Sequence, residues 1–508
     1  MPPSQRPKGF RVERPTLPAK AGPVKEAKRP GPGRQPPGAG PAGRPHEEPG
    51  KIGVPRVKSY PAVASLTASV APQILRGVLD TGKRLEPALK EALEGRKETS
   101  WSHRRVVTRA IAALLRWWGW IEPLRLVQVE EQLALAWSLD SSEIDPTARI
   151  WAEKAGKSRD RMMAAGDAPN WTARAEALKR WVEGKPVTAD PWLLFPAWLR
   201  DQLAVPPGDA PAKGRRLAFL FSLQSHWPLW VGVRGGVEKT IWNELRDAGH
   251  KPWIHRRLTS AAKLDPDTDL RGLRAFQESE LAVEDLGSQL VGTIGDPDPG
   301  ERWWVVHGGN GLIALNLGCR MHGKGTVVAT YEKEAGRNAA AARLRRFPWR
   351  NIAAKAWDGR RLPAKAGSFD GVVVEPPSSD IGVWRRHPEV RWTVRKDDIP
   401  RLAEAQRKLL EVAAAGVKAG GSLIYTVPTV TLAETTELVA AFLQAHPEFR
   451  LEPFRHPLEE STTNGTLQVW PHLHDCEARF IARFVRANRP AKGVTKDVDE
   501  QAGMETSP

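Results

Sequence analysis

Phe369–Trp392 (FDGVVVEPPSSDIGVWRRHPEVRW) and Gly420–Val430 (GGSLIYTVPTV) decide how this chain folds. Each holds a short apolar, β-branched run, Val372–Val374 in the first and Leu423–Thr426 in the second, and each run ends in a proline-bearing loop. Such runs fit the pleat of a sheet, and loops at the carboxyl ends of strands are where α/β folds place ligands. A charged stretch with helical spacing lies between them.

The same alternation extends on both sides. Strands are expected at Trp303–His307, Thr326–Glu332, Asn351–Asp358, Gly371–Glu375, Ser422–Val427, Phe449–Phe454 and Arg479–Val485, with helices such as Glu334–Phe347 and Asp397–Ala415 between them. Strand–helix alternation of this length predicts a mostly parallel, seven-stranded Rossmann-like domain over 282–486. Upstream, 206–281 reads as a small α/β module, with Leu217–Leu223 and the WPLWVGVRG segment as strands before a helix. Residues 59–205 read as an all-α bundle: in SHRRVVTRAIAALLRWWGWIEP, Val106, Ala110, Ala113, Leu114 and Trp117 make one apolar stripe, and Pro123 marks the helix end. No repeat of about twenty to fifty residues is visible.

At 508 residues the chain is long enough for two or three domains, and its net charge of +17 makes a polyanion the default partner, nucleic acid before membrane. Residues 1–58 hold 13 Lys and Arg against 4 Asp and Glu among prolines and glycines, a net +9. A segment so poor in apolar residues is expected to be disordered, as is 487–508. The arm reads either as a non-specific RNA tether or as a solubilising tail. No run approaches the roughly eighteen apolar residues of a membrane span, and MPPSQRPKGF lacks the apolar core of a secretory signal. Two cysteines, Cys319 and Cys476, give neither a disulfide framework nor a metal-ligand spacing, which points to a reducing cytoplasm.

The order of modules, with RRVVTRAIAALLRWWGWIEP, VEDLGSQLVGTIGDPDPGE, WDGRRLP, AGGSLIYTVPT, PHLHDCEARFIARF and above all FDGVVVEPPSSDIGVWRRHPEVRW, resembles the RsmB/NOP-type RNA cytosine-5 methyltransferases over roughly residues 62–486. The resemblance implies a NusB-like RNA-binding bundle, a small RNA-recognition-like insert and a class I methyltransferase domain using S-adenosylmethionine, with RNA, first of all ribosomal RNA, as partner. The family adds a cysteine thiolate to C6 of cytosine to activate C5, and a second cysteine helps release the product. Here the two cysteine positions are Ser378 and Pro428. A serine hydroxyl is a far weaker nucleophile than a thiolate unless a base activates it, and proline offers none. The chain therefore reads as catalytically impaired.

The cofactor residues implied by the resemblance are Gly309 and Gly311 in the glycine turn, Glu332 after the second strand, Asp358 after the third and Glu375 after the fourth. Ile313 stands where the family has a lysine, Leu312 where it has a glycine, and Tyr331 where it has the ribose-binding acid, which leaves Glu332 facing the other side of a regular strand. Arg385, Arg386, His387 and Trp392 are the implied RNA contacts; the other reading is a structural Arg–Glu network with Glu389 and a core tryptophan. Three functions stay open: an RNA-binding relative without catalysis, a methyltransferase of altered chemistry whose Glu375-Pro376-Pro377-Ser378 is loosely similar to the loop of amino-methylating enzymes, and the family's own C5 reaction.

Overall fold

A 21-residue helix, Trp101–Ile121, forms on the apolar stripe noted above, and Ser100 starts it by accepting the backbone N–H of His103 at 3.2 Å. Ala110, Ala113, Leu114 and Trp117 are buried and Val106 half-buried. In the computed structural model, the described residues are 59–96, 100–141, 145–158, 162, 171–184, 186–347 and 349–488. The basic arm 1–58 and nearly all of the expected tail lie outside them.

Against this helix pack Tyr60–Leu79 and Val129–Asp140; Pro146–Lys154 packs on both of those helices, and Trp171–Trp181 on Val129–Asp140. Tyr60–Leu79 is long and apolar enough, by composition, to cross a membrane, which the sequence reading did not expect; half of the relevant window is buried against its neighbours. Gly119 permits a close approach: a Cβ there would stand 1.8 Å from the carbonyl oxygen of Leu193. Ala212–Gln224 is also a helix, so the expected strand at Leu217–Leu223 is overturned. Phe219, Leu220 and Leu223 are buried in the bundle core at helical spacing; a short apolar run fits either periodicity, and packing decided this one.

The small module has strands β1 (Leu229–Val233), β2 (Trp253–Ile254), β3 (Ala261–Leu264) and β4 (Leu281–Val283) in the antiparallel order β2-β3-β1-β4, with Glu238–Asp247 covering one face. The large sheet holds β5 (Arg302–Val306), β6 (Thr326–Tyr331), β7 (Ile352–Ala356), β8 (Phe369–Val374), β9 (Val417–Val427), β10 (Phe449–Leu451), β11 (Thr466–Val469) and β12 (Arg479–Arg486). Its order is β10-β12-β9-β8-β5-β6-β7, with β11 on β12. β5 to β9 run parallel, and β12 is antiparallel to β9. The seven expected strands are present with shifted ends, and β11 is an eighth. Strand order reverses between β5 and β8, so the loops after these two strands flank the crevice where a Rossmann-like sheet binds its ligand.

Loops of the large sheet join the bundle core. Ile381, Trp384 and Val390, from the loop after β8, are buried among the bundle helices, and Trp384 stacks on Phe195 at 6.4 Å between ring centroids. Arg391 is fully buried and donates to the carbonyls of Leu194, Leu223 and Trp384, each at 3.2 Å, and to Oε1 of Gln224 at 2.7 Å. Within the bundle, Arg116 donates to Asp140 Oδ1 at 2.5 Å, Trp117 Nε1 to the same oxygen at 3.0 Å, and His226 Nε2 lies 3.0 Å from Oδ2.

Burial alone would raise the Asp140 carboxyl, but the charges and hydrogen bonds of Arg116 and His226 outweigh it and hold the group well below its ordinary value of 3.8. A depressed carboxyl adds stability above its unfolded pKa and loses it as pH falls toward the folded one. Asp140→Asn leaves Arg116 buried without its counter-charge, so urea unfolding at pH 7 should show a loss of about 3–5 kcal/mol. The gap to the parent should narrow at pH 3; a gap independent of pH would contradict this account.

Candidate functional site

The loop from β5 leads through His307, Gly308, Gly309 and Gly311 into the helix Leu312–Arg320. Gly309 (φ 53°) and Gly311 (φ 85°) take left-handed backbone, as a glycine turn requires, and Asn310 accepts the N–H of Leu312 at 3.0 Å. Tyr331 is buried against this turn. Its hydroxyl lies 3.4 Å from the Gly308 carbonyl, and a Cβ on Gly308 would come within 2.7 Å of it. Burial pushes this phenol up to about 12. Ile313 and Leu312 are both buried in the apolar cores beneath the turn, so the position of the family lysine points inward.

The acids line the crevice in sequence. Glu375 Oε1 accepts from Arg479 Nη1 at 2.8 Å, and its Oε2 faces Gly309. Arg479 also donates to Thr426 Oγ1 and Ser288 Oγ, so its side chain is fixed across β8, β9 and the helix Leu286–Gly295. Glu332 lies 3.3 Å from His307 Nε2 and faces Gly359. Burial lowers the pKa of His307 despite the charges of Glu332 and Glu375. Asp358 is exposed and accepts the backbone N–H groups of Arg361 and Arg360, both at 2.9 Å, which lower its pKa. It lines a cavity of about 470 Å³ with Trp357, Arg361 and Leu362. Gly309, Gly311, Glu332 and Glu375 thus come together, with Asp358 on the outer wall. For S-adenosylmethionine, Asp358 and Glu375 keep acids after β7 and β8, while the glycine turn, which the methionine carboxylate would approach, is packed by the Tyr331 phenol. The methionine end meets no lysine at 313, and a phenol stands in place of the ribose acid.

The two family-thiol positions lie in loops sealed to each other. Ser378 Oγ donates to Asp380 Oδ1 at 2.9 Å, and Asp380, at φ 55°, pairs with Arg84 at 2.7 Å. Pro428 is buried and its carbonyl accepts the N–H of Gly382 at 2.8 Å; a Cβ at Gly382 would stand 2.0 Å from the Ala478 oxygen. Between the loops sits Glu434, fully buried. Its Oε1 accepts from Ser379 N at 2.9 Å and Gln406 Nε2 at 2.8 Å; its Oε2 accepts from Ser379 Oγ at 2.5 Å and Thr431 Oγ1 at 2.7 Å. Tyr425 closes the network by donating to the Glu434 carbonyl. Burial raises both cysteine thiols, Cys319 to about 12 and Cys476 well above its ordinary value. Neither is a ready thiolate.

The four implied RNA contacts have partners within the chain. Arg385 is buried and pairs with Asp475 at 2.8 Å; Arg386 pairs with the buried Glu477 at 2.9 Å and lies over the Trp227 ring. His387 Nδ1 is 3.4 Å from Glu389, and Trp392 Nε1 donates to the Leu115 carbonyl at 2.7 Å. Arg386 and His387 remain part-exposed, their side chains each at 39%. Glu434, Asp380 and Arg479 were missed in the sequence. Each also makes a long-range contact, Glu434 with Gln406, Arg479 with Glu375 and Asp380 with Arg84, across 28, 104 and 296 residues of chain, which no local pattern encodes. His456, Glu459 and His474 also gather within 4.8 Å, but His456 Nδ1 already accepts the N–H groups of Leu458 and Glu459. That leaves Nε2 protonated in the neutral ring, and a metal would have to displace the proton.

Glu434→Ala should strand the Ser379, Thr431 and Gln406 donors, at about 1–3 kcal/mol for each group left unpaired. Hydrogen exchange should accelerate together in peptides covering 376–384 and 426–434. Protection lost in only one of them would show that the carboxylate does not couple the loops.

Residues 297–485 match the family model described as 16S rRNA methyltransferase RsmB/F. The chain is 37% identical over 217 residues to the ribosomal RNA small subunit methyltransferase B of Thermus thermophilus, covering 42% of this chain and 52% of that protein. It is 28% identical over 310 residues to the protein of the same name in Yersinia pestis, covering 59% and 68%. The chain spans about half the length of several curated relatives it matches, 49% for one from Bacillus subtilis. The crystal structure of PH0851 shares the fold, with a TM-score of 0.63 at 22% identity over 83% of this chain and 98% of that one.

Proposed function

Because residues 297–485 place this chain in the RsmB/NOP-type family of RNA methyltransferases, we propose that it binds RNA, ribosomal RNA first, without carrying out the family's cytosine-5 methyl transfer. The observation that carries this reading is the pair of sealed loops: one thiol position is a buried proline, the other a hydroxyl held by Asp380. A carboxylate is a far weaker base than the alkoxide it would have to generate from a serine hydroxyl, so this contact positions Ser378 more than it activates it.

Binding rests on charge. The net +17, with +9 of it in residues 1–58, supports a phosphate backbone as partner. Arg386 and His387 are the site residues whose part-exposed side chains would reach it, while Arg385 and Trp392 would hold the loop that presents them. The bundle, NusB-like by resemblance, would add a second RNA surface. S-adenosylmethionine would supply a methyl group; Gly309 and Gly311 would face its methionine carboxylate, without a lysine at 313, and Glu332 and Asp358 would face its ribose and adenine. Buried, unpaired thiols suit a reducing cytoplasm.

The test is to incubate the full chain with ribosomal RNA fragments and labelled S-adenosylmethionine while measuring RNA affinity across a salt series. Binding should weaken steeply with salt, removal of residues 1–58 should flatten that slope, and no 5-methylcytosine should form. Formation of 5-methylcytosine would refute the reading. Label appearing on an exocyclic amine would instead support the amino-directed chemistry of Glu375-Pro376-Pro377-Ser378.

A further inference from the structure

β12 alternates about the sheet. Phe480, Ala482 and Phe484 join the core on one face, and Ile481 joins the core on the other. Arg483 shares the face of Ile481, where the period of two calls for an apolar side chain. Its Nε is buried and has no hydrogen-bond partner. An inward-facing guanidinium with an unmet donor is costly unless something completes it.

Arg483 lines a cavity of about 610 Å³ between the small module and the large sheet. Arg256 and Arg257 reach it from the turn between β2 and β3, and Arg455 and His456 from the segment after β10. Arg257 pairs with the exposed Glu460 at 2.9 Å, and the one carboxylate in the lining, Asp296, sits 3.6 Å from Arg320. Among the described residues, Arg256, Arg455 and Arg483 have no carboxylate partner. Three unpaired guanidiniums around one concavity, each a planar fork of donors, match phosphate oxyanions.

The geometry points to a phosphate-binding pocket that holds the backbone of an RNA strand at the seam between the small module and the sheet, away from the strand-end crevice. This rests on the RNA-binding reading above. The same oxyanion chemistry is offered by a free polyphosphate, so the experiment has an arm for each source.

In the first arm, a fluorescent single-stranded RNA is titrated with the full chain at several salt concentrations. Arg256→Gln with Arg455→Gln changes only exposed positions and should spare folding. Arg401→Gln with Lys408→Gln, on the helix covering the opposite face of the sheet, removes the same charge elsewhere. Loss of two phosphate contacts should lower the slope of log K against log salt by about 1.4 in the pocket variant and leave the control slope near that of the parent. An unchanged slope in the pocket variant, or an equal fall in the control, would overturn the assignment. In the second arm, thermal unfolding is followed with inorganic pyrophosphate. If the parent binds no RNA, the RNA reading fails by itself. Stabilisation by pyrophosphate that the pocket variant loses would then keep the phosphate site with a free polyphosphate as its source, and absence of stabilisation would overturn it.

Discussion

Glu434, a carboxylate with no exposed surface and, among the described residues, no cation within ion-pair distance, holds the two strand-end loops of the candidate site together. A buried charge of this kind persists only because hydrogen-bond donors replace its water. Those donors come from both strand-end loops and from the helix Asp398–Ala414, so the carboxylate fixes the distance between the loops after β8 and β9. The consequences run along the chain. Anchoring Ser379 sets Asp380 in left-handed backbone, Asp380 orients Ser378, and the Gly382 turn that follows fits against the carbonyls of Pro428 and Ala478.

Beyond that turn, IGVWRRHPEVRW joins the two halves of the molecule. Trp384 inserts among bundle aromatics, and Arg391 satisfies carbonyls from two separate bundle segments. The charges of Arg385 and Arg386 are met by Asp475 and Glu477, next to β12. The block with the strongest family likeness is therefore largely structural cement. A loop so constrained can keep its sequence whether or not the chemistry beside it survives.

Much of the architecture was legible because it rests on local signals. β-branched runs ending in prolines gave the strands at the centre of the large sheet, and apolar spacing with Pro123 gave the long bundle helix. Leu217–Leu223 was misread because a seven-residue apolar run fits a strand as well as a helix, and only the bundle core distinguishes them. β11 escaped notice because four residues, Thr466–Val469, pair with an existing edge and carry little apolar signal. Within the site, Ser378, Pro428 and Tyr331 could be read from the order of motifs. Whether Tyr331 filled the crevice, and what Glu434 and Arg479 joined, depended on packing between distant segments.

On the reading proposed above, more than two thiols separates this chain from its relatives: Ile313 is buried beneath the glycine turn, Tyr331 packs against that turn, and Glu434 ties the two strand-end loops together. Ser378→Cys combined with Pro428→Cys returns both thiols and leaves Ile313, Tyr331 and Glu434 in place. Assayed with S-adenosylmethionine on a ribosomal RNA fragment, this double variant should form no 5-methylcytosine while binding RNA as the parent does. Formation of 5-methylcytosine by the double variant would contradict the account, since it would mean that the cofactor pocket is intact and that two thiols alone separate this chain from its relatives' chemistry.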